Sequence, residues 1–142
     1  MLWGQMKNFS RTITLSTREK YQLIDLTEEI EEIVSESRVA EGLCLVHAQH
    51  ATAAIICNEN ETGLIHDILK KVKELFPPGA GYMHDRIDDN ASGHIASALI
   101  GASCTFPIGN SRLVRGTWQN IFLLELDGPR SRRDVTVRVM GD

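Results

Sequence analysis

Hydrophobic and polar residues alternate near the start of the chain. Residues 9–16, Phe-Ser-Arg-Thr-Ile-Thr-Leu-Ser, follow a period of two, which predicts a β-strand with one solvent-facing side. Residues 21–26 are mainly apolar and predict a second, shorter strand. A helix is expected directly after them, because Thr27 is a suitable N-cap and two glutamates follow it in the first turn. Helical spacing continues to about Ser37.

The clearest helical pattern runs from Glu61 to Phe76. The apolar residues of this segment are spaced three or four apart and share one helix face: Leu64, Ile65, Ile68, Leu69, Val72 and Leu75. Lysines occupy its C-terminal half, and residues 77–79, Pro-Pro-Gly, end it. A shorter helix is expected from Ser92 to Ile100, with Asn90 as a cap.

Five further segments are rich in apolar or β-branched residues and predict strands. They are residues 42–48, 52–57, 104–108, 116–126 and 135–140. The resulting order is strand, strand, helix, strand, strand, helix, short helix and three strands. This order predicts a single α+β domain over residues 1–142, in which residues 1–5 form a disordered or edge N-terminal extension. Either Met1 or Met6 can be the native start.

Composition and charge narrow the classes of function. Of the 142 residues, 42% are hydrophobic and 24% are charged, which is typical of a globular domain and not of a disordered chain. The net charge of −4 gives no general attraction to nucleic acid or to anionic lipid. No apolar run reaches the roughly 18 residues of a membrane span. We therefore expect neither nucleic acid nor a membrane as a partner.

Three cysteines are present, Cys44, Cys57 and Cys104, and none of them belongs to a CxxC motif. An odd number of cysteines in mainly apolar surroundings indicates free thiols and not a disulfide framework. Free thiols are typical of a reducing compartment. The sequence therefore predicts a cytoplasmic protein.

The histidines are the first candidates for chemistry. His47 lies within an apolar strand and His66 on the polar side of the long helix, so both are interpreted as structural or surface residues. His50, His84 and His94 fall at the edges of elements or in a polar loop. Three neutral imidazoles suit zinc and leave an open position for water. The chain has no HxH or HExxH motif, so hydrogen-bonding roles remain an alternative for these histidines.

Several carboxylates are candidate partners for these histidines. Glu59 directly follows a predicted buried strand, and it is a candidate general acid or base. The alternative is that this polar segment only starts the long helix. Asp85, Asp88 and Asp89 are candidates for orienting the imidazoles, and the alternative for them is that they are solvated loop charges.

Arginine is the only basic residue type from Arg112 to the C-terminus. Three of these residues, Arg130, Arg132 and Arg133, follow a Gly-Pro turn, and their planar guanidinium groups suit phosphate or carboxylate. They predict a site for an anionic or phosphorylated small molecule. Ion pairs between subunits are the alternative. The sequence contains neither GxxxxGK[ST] nor GxGxxG, so a nucleotide site of those kinds is not indicated.

Several motifs together resemble the YjbQ family over essentially the whole chain. The motifs are Gln49–Ala54, Asn58–Asn60, His84, His94-Ile95, Gly101, Gly116–Gln119 (GTWQ) and Glu125–Arg130 (ELDGPR). The last two make the resemblance specific. One difference is small: Ala51 stands where the family often has threonine, and Thr52 keeps a hydroxyl beside it.

The resemblance implies a fold and a site. It implies an α+β domain of two packed, mainly antiparallel β-sheets with two longer helices, which associates as a homotrimer. It also implies a divalent metal site, usually read as zinc, with His50, His84 and His94 as ligands. Glu59 and the Trp118-Gln119 pair match motif positions near the same cleft, and we take Glu59 and Gln119 as candidate catalytic residues.

The resemblance also implies a weak, secondary thiamine-phosphate synthase activity. That reaction joins a pyrimidine diphosphate to a thiazole phosphate and releases pyrophosphate, so the three C-terminal arginines are candidates for binding the diphosphate. Diphosphate chemistry usually runs on magnesium, whereas three histidines suit zinc. Two alternatives follow from this mismatch: a zinc-dependent hydrolase with Glu59 as base, or a non-catalytic trimer that binds a metal or small ligand.

Overall fold

The computed structural model describes residues 5–142, which form eight β-strands and three α-helices. The strands are β1 (Lys7–Leu15), β2 (Gln22–Asp25), β3 (Gly42–Ala48), β4 (Ala53–Asn58), β5 (Ser103–Gly109), β6 (Arg112–Leu113), β7 (Asn120–Glu125) and β8 (Arg133–Gly141). The helices are α1 (Thr27–Ser37), α2 (Thr62–Leu75) and α3 (Ala91–Ile100).

The strands form two antiparallel sheets. The five-stranded sheet has the order β1-β8-β3-β5-β6, and the three-stranded sheet has the order β2-β7-β4. In the five-stranded sheet, β3 and β8 alternate more buried and more exposed side chains, as expected for a sheet with one covered face. The predicted α+β fold with two packed antiparallel sheets is therefore confirmed.

The main core lies between the two sheets. Val135, Val137 and Val139 of β8 are fully buried and face the three-stranded sheet, which contributes Ile121 and Leu123 from β7. Helix α1 closes one end of this core with its own apolar face. Burying aliphatic side chains from both sheets and one helix provides the main driving force for folding.

A second apolar layer covers the other face of the three-stranded sheet. There Ala54 and Leu124 pack against Val72 of α2 and Ala96 of α3. The three-stranded sheet is thus covered on both faces, and its central strand β7 reads as a continuous apolar run. By contrast, the outward face of the five-stranded sheet carries no described helix.

The helix and strand boundaries agree with the sequence pattern to within a few residues, with two exceptions. Residues 116–119 do not belong to a strand as predicted, because they form a turn before β7. The short strand β6 was not predicted from the sequence. It pairs with β5 through a turn in which Asn110 and Ser111 have positive φ angles of 51° and 64°.

The helix starts also differ in detail from the sequence expectation. Thr27 is the first residue of α1 and not its N-cap, and the Asp25 carboxylate accepts from its backbone N–H at 2.9 Å. Glu61 caps α2 by accepting from the Leu64 N–H at 2.8 Å. Asn90 precedes α3 as expected, but its side chain makes no capping bond, since it is used elsewhere.

The predicted N-terminal extension, residues 1–5, lies mostly outside the described residues, which begin with an exposed Gln5. None of the helices within residues 5–142 has the length and apolar character needed to cross a membrane.

Candidate functional site

The three candidate histidines lie at the same end of the three-stranded sheet. His50 precedes β4, whose first residue, Ala53, pairs with Glu125 at the end of β7. Helix α3, which carries His94, begins beside the same end of β7. A Cβ on Gly93 would lie only 2.8 Å from the Leu126 carbonyl oxygen, so glycine permits this close approach.

His84 and His94 are in direct contact. His84 lies in a 3₁₀ turn, Met83–Arg86, and His94 in the first turn of α3. Their ring centroids are 4.8 Å apart, with an edge-to-face angle of 75°. The structure therefore brings together two of the three predicted metal ligands.

Asn90 links this pair to the carboxylate of Asp127. The Asn90 amide nitrogen donates to Asp127 Oδ2 at 2.8 Å, and Asn90 Oδ1 lies 3.1 Å from His84 Nε2. Because Oδ1 can only accept, the proton belongs on His84 Nε2. Neutral His84 therefore has its free lone pair on Nδ1, which can accept a proton or bind a cation.

Asp127 is the centre of a polar cluster. Lys20 Nζ lies 2.5 Å from Asp127 Oδ1, and Arg130 Nη2 lies 2.6 Å from Oδ2. The carboxylate side chain is only 10% exposed. Burial alone would raise the pKa of Asp127, but hydrogen bonds from Lys20, Asn90 and Arg130 lower it below its usual value. We refer to Lys20, Asn90, Asp127 and Arg130 as the Asp127 cluster.

Close backbone packing holds this cluster in place. A Cβ on Gly128 would lie 2.0 Å from the Glu19 carbonyl oxygen, and the Gly128 N–H donates to the Lys20 carbonyl at 3.0 Å. Only glycine can bring the two segments this close. The turn after β7 is thereby fixed against the loop that carries Lys20.

His50 faces a different partner. Its Nε2 accepts a hydrogen bond from the Asp134 backbone N–H at 2.8 Å, so neutral His50 carries its proton on Nδ1. Burial and the positive charge of Arg133 lower the pKa of His50. His50 is therefore a neutral hydrogen-bond donor through Nδ1, the opposite tautomer to that of His84.

The three candidate arginines have different surroundings. Arg130 belongs to the Asp127 cluster and is about half exposed. Arg132 is 70% exposed and pairs with Asp134 at 3.1 Å. Arg133 is 4% exposed, donates to the fully buried Glu125, and also donates to the Thr52 carbonyl at 3.0 Å. Of the three, only Arg130 lies beside the His84 network.

The geometry of one chain does not fit a three-histidine metal site. Within residues 5–142, no group of three His, Cys, Asp or Glu side chains is arranged to hold a metal ion. The lone pair of His50 Nε2 is already engaged by Asp134, while His84 and His94 are close together. Two imidazoles therefore converge and the third does not.

The candidate catalytic residues Glu59 and Gln119 lie at the other end of the three-stranded sheet. Asn58 and Asn120, their chain neighbours, are paired in the β4–β7 ladder. The six residues of β4 separate this end from His50 by about 20 Å. Gln119 Oε1 also accepts from the Gly116 N–H at 2.7 Å. One chain therefore does not bring Glu59 or Gln119 to the histidines.

Two members of the Asp127 cluster were missed from the sequence. Lys20 is 107 residues away from Asp127 and lies in a short polar loop with no local signal. Asp127 itself lies in the ELDGPR motif, next to arginines whose side chains suit an anion more directly. The motif therefore indicates the location of the cluster, but no sequence pattern distinguishes Asp127 as its central residue.

Comparisons with known proteins agree with this fold. Residues 11–142 match the family described as "UPF0047 protein YjbQ-like". A UPF0047 protein of Archaeoglobus fulgidus is 46% identical over 121 residues, covering 85% of this chain and 94% of its own length. A UPF0047 protein of Methanothermobacter thermautotrophicus is 39% identical and covers 96% of this chain and 94% of its own length.

Solved structures show the same architecture. A YbjQ-like protein of unknown function from Sulfolobus solfataricus superposes with a TM-score of 0.96 at 47% identity, covering 97% of this chain and 100% of its own. A hypothetical protein from Aeropyrum pernix gives a TM-score of 0.90 at 37% identity, with coverages of 94% and 98%. On these grounds the chain belongs to the YjbQ-like UPF0047 family.

Proposed function

We propose that the protein binds a phosphorylated small molecule at the end of the three-stranded sheet that carries His84, His94 and the Asp127 cluster. The observation that supports this most is the sharing of one nearly buried carboxylate by two cations, Lys20 and Arg130. Within the Asp127 cluster itself, the two positive charges outnumber the one negative charge. Such an excess attracts an anion.

The two cations also have donors to spare. Arg130 uses Nε and Nη2 on Asp127, and its Nη1 has no hydrogen-bond partner within residues 5–142. The Lys20 ammonium has three N–H groups and uses one of them on Asp127. Both side chains are more than 40% exposed, so a ligand can reach these donors.

The histidines beside the Asp127 cluster also suit a phosphorylated ligand. His84 offers a free Nδ1 lone pair, and His94 lies against it. A phosphate bound by Arg130 and Lys20 would thus lie near the imidazole of His84, which Asn90 links to the same carboxylate. His50 contributes a neutral Nδ1–H donor at the same end of the sheet.

The reaction we propose is a weak, secondary thiamine-phosphate synthase activity. A thiazole nitrogen would form a bond to the pyrimidine methylene carbon, while the C–O bond to the diphosphate breaks and pyrophosphate leaves with the electron pair. Stabilising that charge is the main physical demand, and Arg130 and Lys20 are suited to it. Magnesium bound to the diphosphate itself would assist, as is usual for such groups.

The zinc-dependent hydrolase is less well supported. It would use Glu59 as the base, and Glu59 lies at the other end of the sheet in the same chain. Zinc binding remains a separate proposal that rests on His84 and His94 alone, with further ligands from water or from another chain. No step of the proposed reaction passes through zinc.

A homotrimer is part of the proposal. The outward face of the five-stranded sheet exposes Leu43, Leu45 and Met140, at 56%, 38% and 42%. A contiguous apolar patch of this kind is typical of an interface between subunits. Association would also offer a way for Glu59 and Gln119 of one chain to approach the histidines of another. Light scattering coupled to gel filtration would measure the mass directly.

A cytoplasmic location is likewise proposed. Cys44, Cys57 and Cys104 are all free in the structure. Burial raises the pKa of the Cys44 thiol to about 12, so this group is unreactive at neutral pH. Free thiols without a disulfide partner suit a reducing compartment.

Calorimetric titration with inorganic pyrophosphate tests the ligand proposal. Arg130→Gln should weaken binding about tenfold or more, because it removes a charge-assisted contact. Arg132→Gln is the matched control, since it removes the same charge from a more exposed position. Equal losses in the two variants, or no pyrophosphate binding to the unmodified protein, would reject the site. Synthase turnover is then assayed with magnesium, with and without a zinc chelator.

A further inference from the structure

The GTWQ segment forms a turn that is closed by its own polar groups. Gly116 N–H donates to Gln119 Oε1 at 2.7 Å, and Gln119 N–H donates back to the Gly116 carbonyl at 3.0 Å. Arg115 Nη1 donates to the Gln119 carbonyl at 3.0 Å. These bonds restrain the four-residue surface turn.

Arg115 also fixes this turn to helix α1. Its Nε and Nη2 both contact Glu31 Oε1, at 2.8 and 2.7 Å, and the guanidinium side chain is 23% exposed. The turn, the arginine and the helix therefore form one rigid unit. On this unit, Trp118 is 70% exposed. A large indole held in solvent by a restrained turn is suited to contact with a ligand, because little conformational entropy remains to be lost.

A groove of about 570 Å³ lies between α1 and this turn. Val34 and Leu113 give it an apolar floor, and Ser35, Ser111 and Thr117 add hydroxyl groups. Arg112 also lines the groove and makes no ion pair or side-chain hydrogen bond with any residue in the range 5–142. The only carboxylate of the lining, Glu31, is neutralised by Arg115. The groove therefore combines one uncompensated cation with an apolar floor.

We infer that this groove binds a small organic anion, in which a phosphate or carboxylate is joined to an apolar or aromatic ring. Arg112 and the hydroxyls receive the anion, while Val34, Leu113 and the neighbouring Trp118 contact the ring. The groove lies at the Gln119 end of the three-stranded sheet. Within one chain it is therefore separate from the histidine end, and this inference does not depend on the function proposed for that end.

Fluorescence of a single tryptophan provides the test. The chain contains two tryptophans, so Trp3→Phe leaves Trp118 as the only indole. Phenyl phosphate, titrated into this variant, should produce a saturable change in Trp118 emission. Inorganic phosphate lacks the ring and phenol lacks the anionic group, so each should bind at least fivefold more weakly than phenyl phosphate.

Charge-matched variants decide where the ligand binds. Arg112→Gln in the Trp3→Phe background should weaken phenyl phosphate binding at least fivefold. Arg86→Gln removes an equal charge from an exposed position in the Met83–Arg86 turn at the histidine end, and it should change affinity by less than twofold. Amide chemical shifts measured in the same titration should change at residues 111–118.

Three outcomes would overturn the inference. One is the absence of saturable binding at millimolar phenyl phosphate. Another is an equal loss of affinity in the two arginine variants. The third is a set of shifted amides confined to residues 84–94 and 127–130, which would place the ligand at the histidine end and leave the proposed function standing.

Discussion

Arg133 and Glu125 form an ion pair inside the protein, with exposed fractions of 4% and 0% for the two side chains. Arg133 joins β8 of the five-stranded sheet to the end of β7 in the three-stranded sheet. Arg133 Nη2 is also within hydrogen-bonding distance of the carbonyl and hydroxyl oxygens of Thr52, both at 3.0 Å. Glu125 in turn accepts from the Thr17 hydroxyl at 2.6 Å. The pair therefore fixes the relative position of the segments that carry His50 and Arg130.

Removing one partner of this pair should strongly destabilise the fold. Arg133→Ala leaves the Glu125 carboxylate buried without its counter-charge, and such losses cost about 3–5 kcal/mol. Arg132→Ala removes a 70% exposed arginine and should cost less than about 1 kcal/mol. Urea denaturation of both variants measures the two free energies of unfolding. Similar values would show that the buried pair contributes little.

Stability should fall as the solution becomes acidic. Burial by itself would raise the pKa of Glu125, but hydrogen bonds from Arg133 and Thr17 outweigh burial and lower this pKa. The pKa of Asp127 is lowered in the same way by hydrogen bonds within the Asp127 cluster. A carboxyl with a lowered pKa stabilises the fold above its unfolded pKa. That stabilisation is lost as the pH falls from the unfolded pKa through the folded one.

Thermal unfolding between about pH 3 and pH 7 measures this dependence. The melting temperature should be nearly constant near neutrality and fall below about pH 5. Asp127→Asn should flatten the acidic part of the curve, since one contributing carboxylate is gone. Asp67→Asn, at an exposed position on α2, is the control and should leave the shape unchanged. A curve for Asp127→Asn with the original slope would contradict the assignment.

The sequence predicted the local elements well because periodicity reports which face of each element is buried. The short, largely apolar run of β3 gave its bounds without error, and the helical spacing of α2 gave its ends to within one residue. Strand β6 was missed because two residues carry no periodic pattern. The GTWQ turn was read as strand because side-chain bonds from Arg115 and Gln119 are not visible as periodicity.

The candidate site was predicted only in part, and the reason is sequence separation. His84 and His94 are ten positions apart and in contact, so a loop and the helix after it sufficed to bring them together. Lys20 reaches Asp127 only through the packing of the Gly128 turn against its loop. Glu59 directly follows β4, at the end of the sheet opposite to His50. This placement could not be predicted, because a local sequence pattern does not show which end of a sheet lies near a given histidine.

The zinc content of histidine variants distinguishes metal binding by His84 and His94 from a purely hydrogen-bonding role. If zinc binds through His84 and His94, then His84→Ala and His94→Ala should each lose the metal. His50→Ala should retain it, because His50 Nε2 is bonded to Asp134. Elemental analysis of untagged protein, purified without added metal and then incubated with zinc, measures the occupancy. Loss of zinc in His50→Ala would show that His50 exchanges this bond for the metal.

Gly93 controls how closely α3 approaches the end of β7. In Gly93→Ala the new Cβ would lie 2.8 Å from the Leu126 carbonyl oxygen, which is backbone and cannot move aside alone. We expect a loss of about 1–3 kcal/mol in the free energy of unfolding. Gly109→Ala is the control, because its Cβ would meet only the side chains of Val114, at 3.3 Å, and Glu41, at 3.9 Å. Displacement of α3 should also lengthen the Asn90–Asp127 bond and weaken pyrophosphate binding. A variant that is destabilised but binds pyrophosphate unchanged would show that α3 does not position the Asp127 cluster.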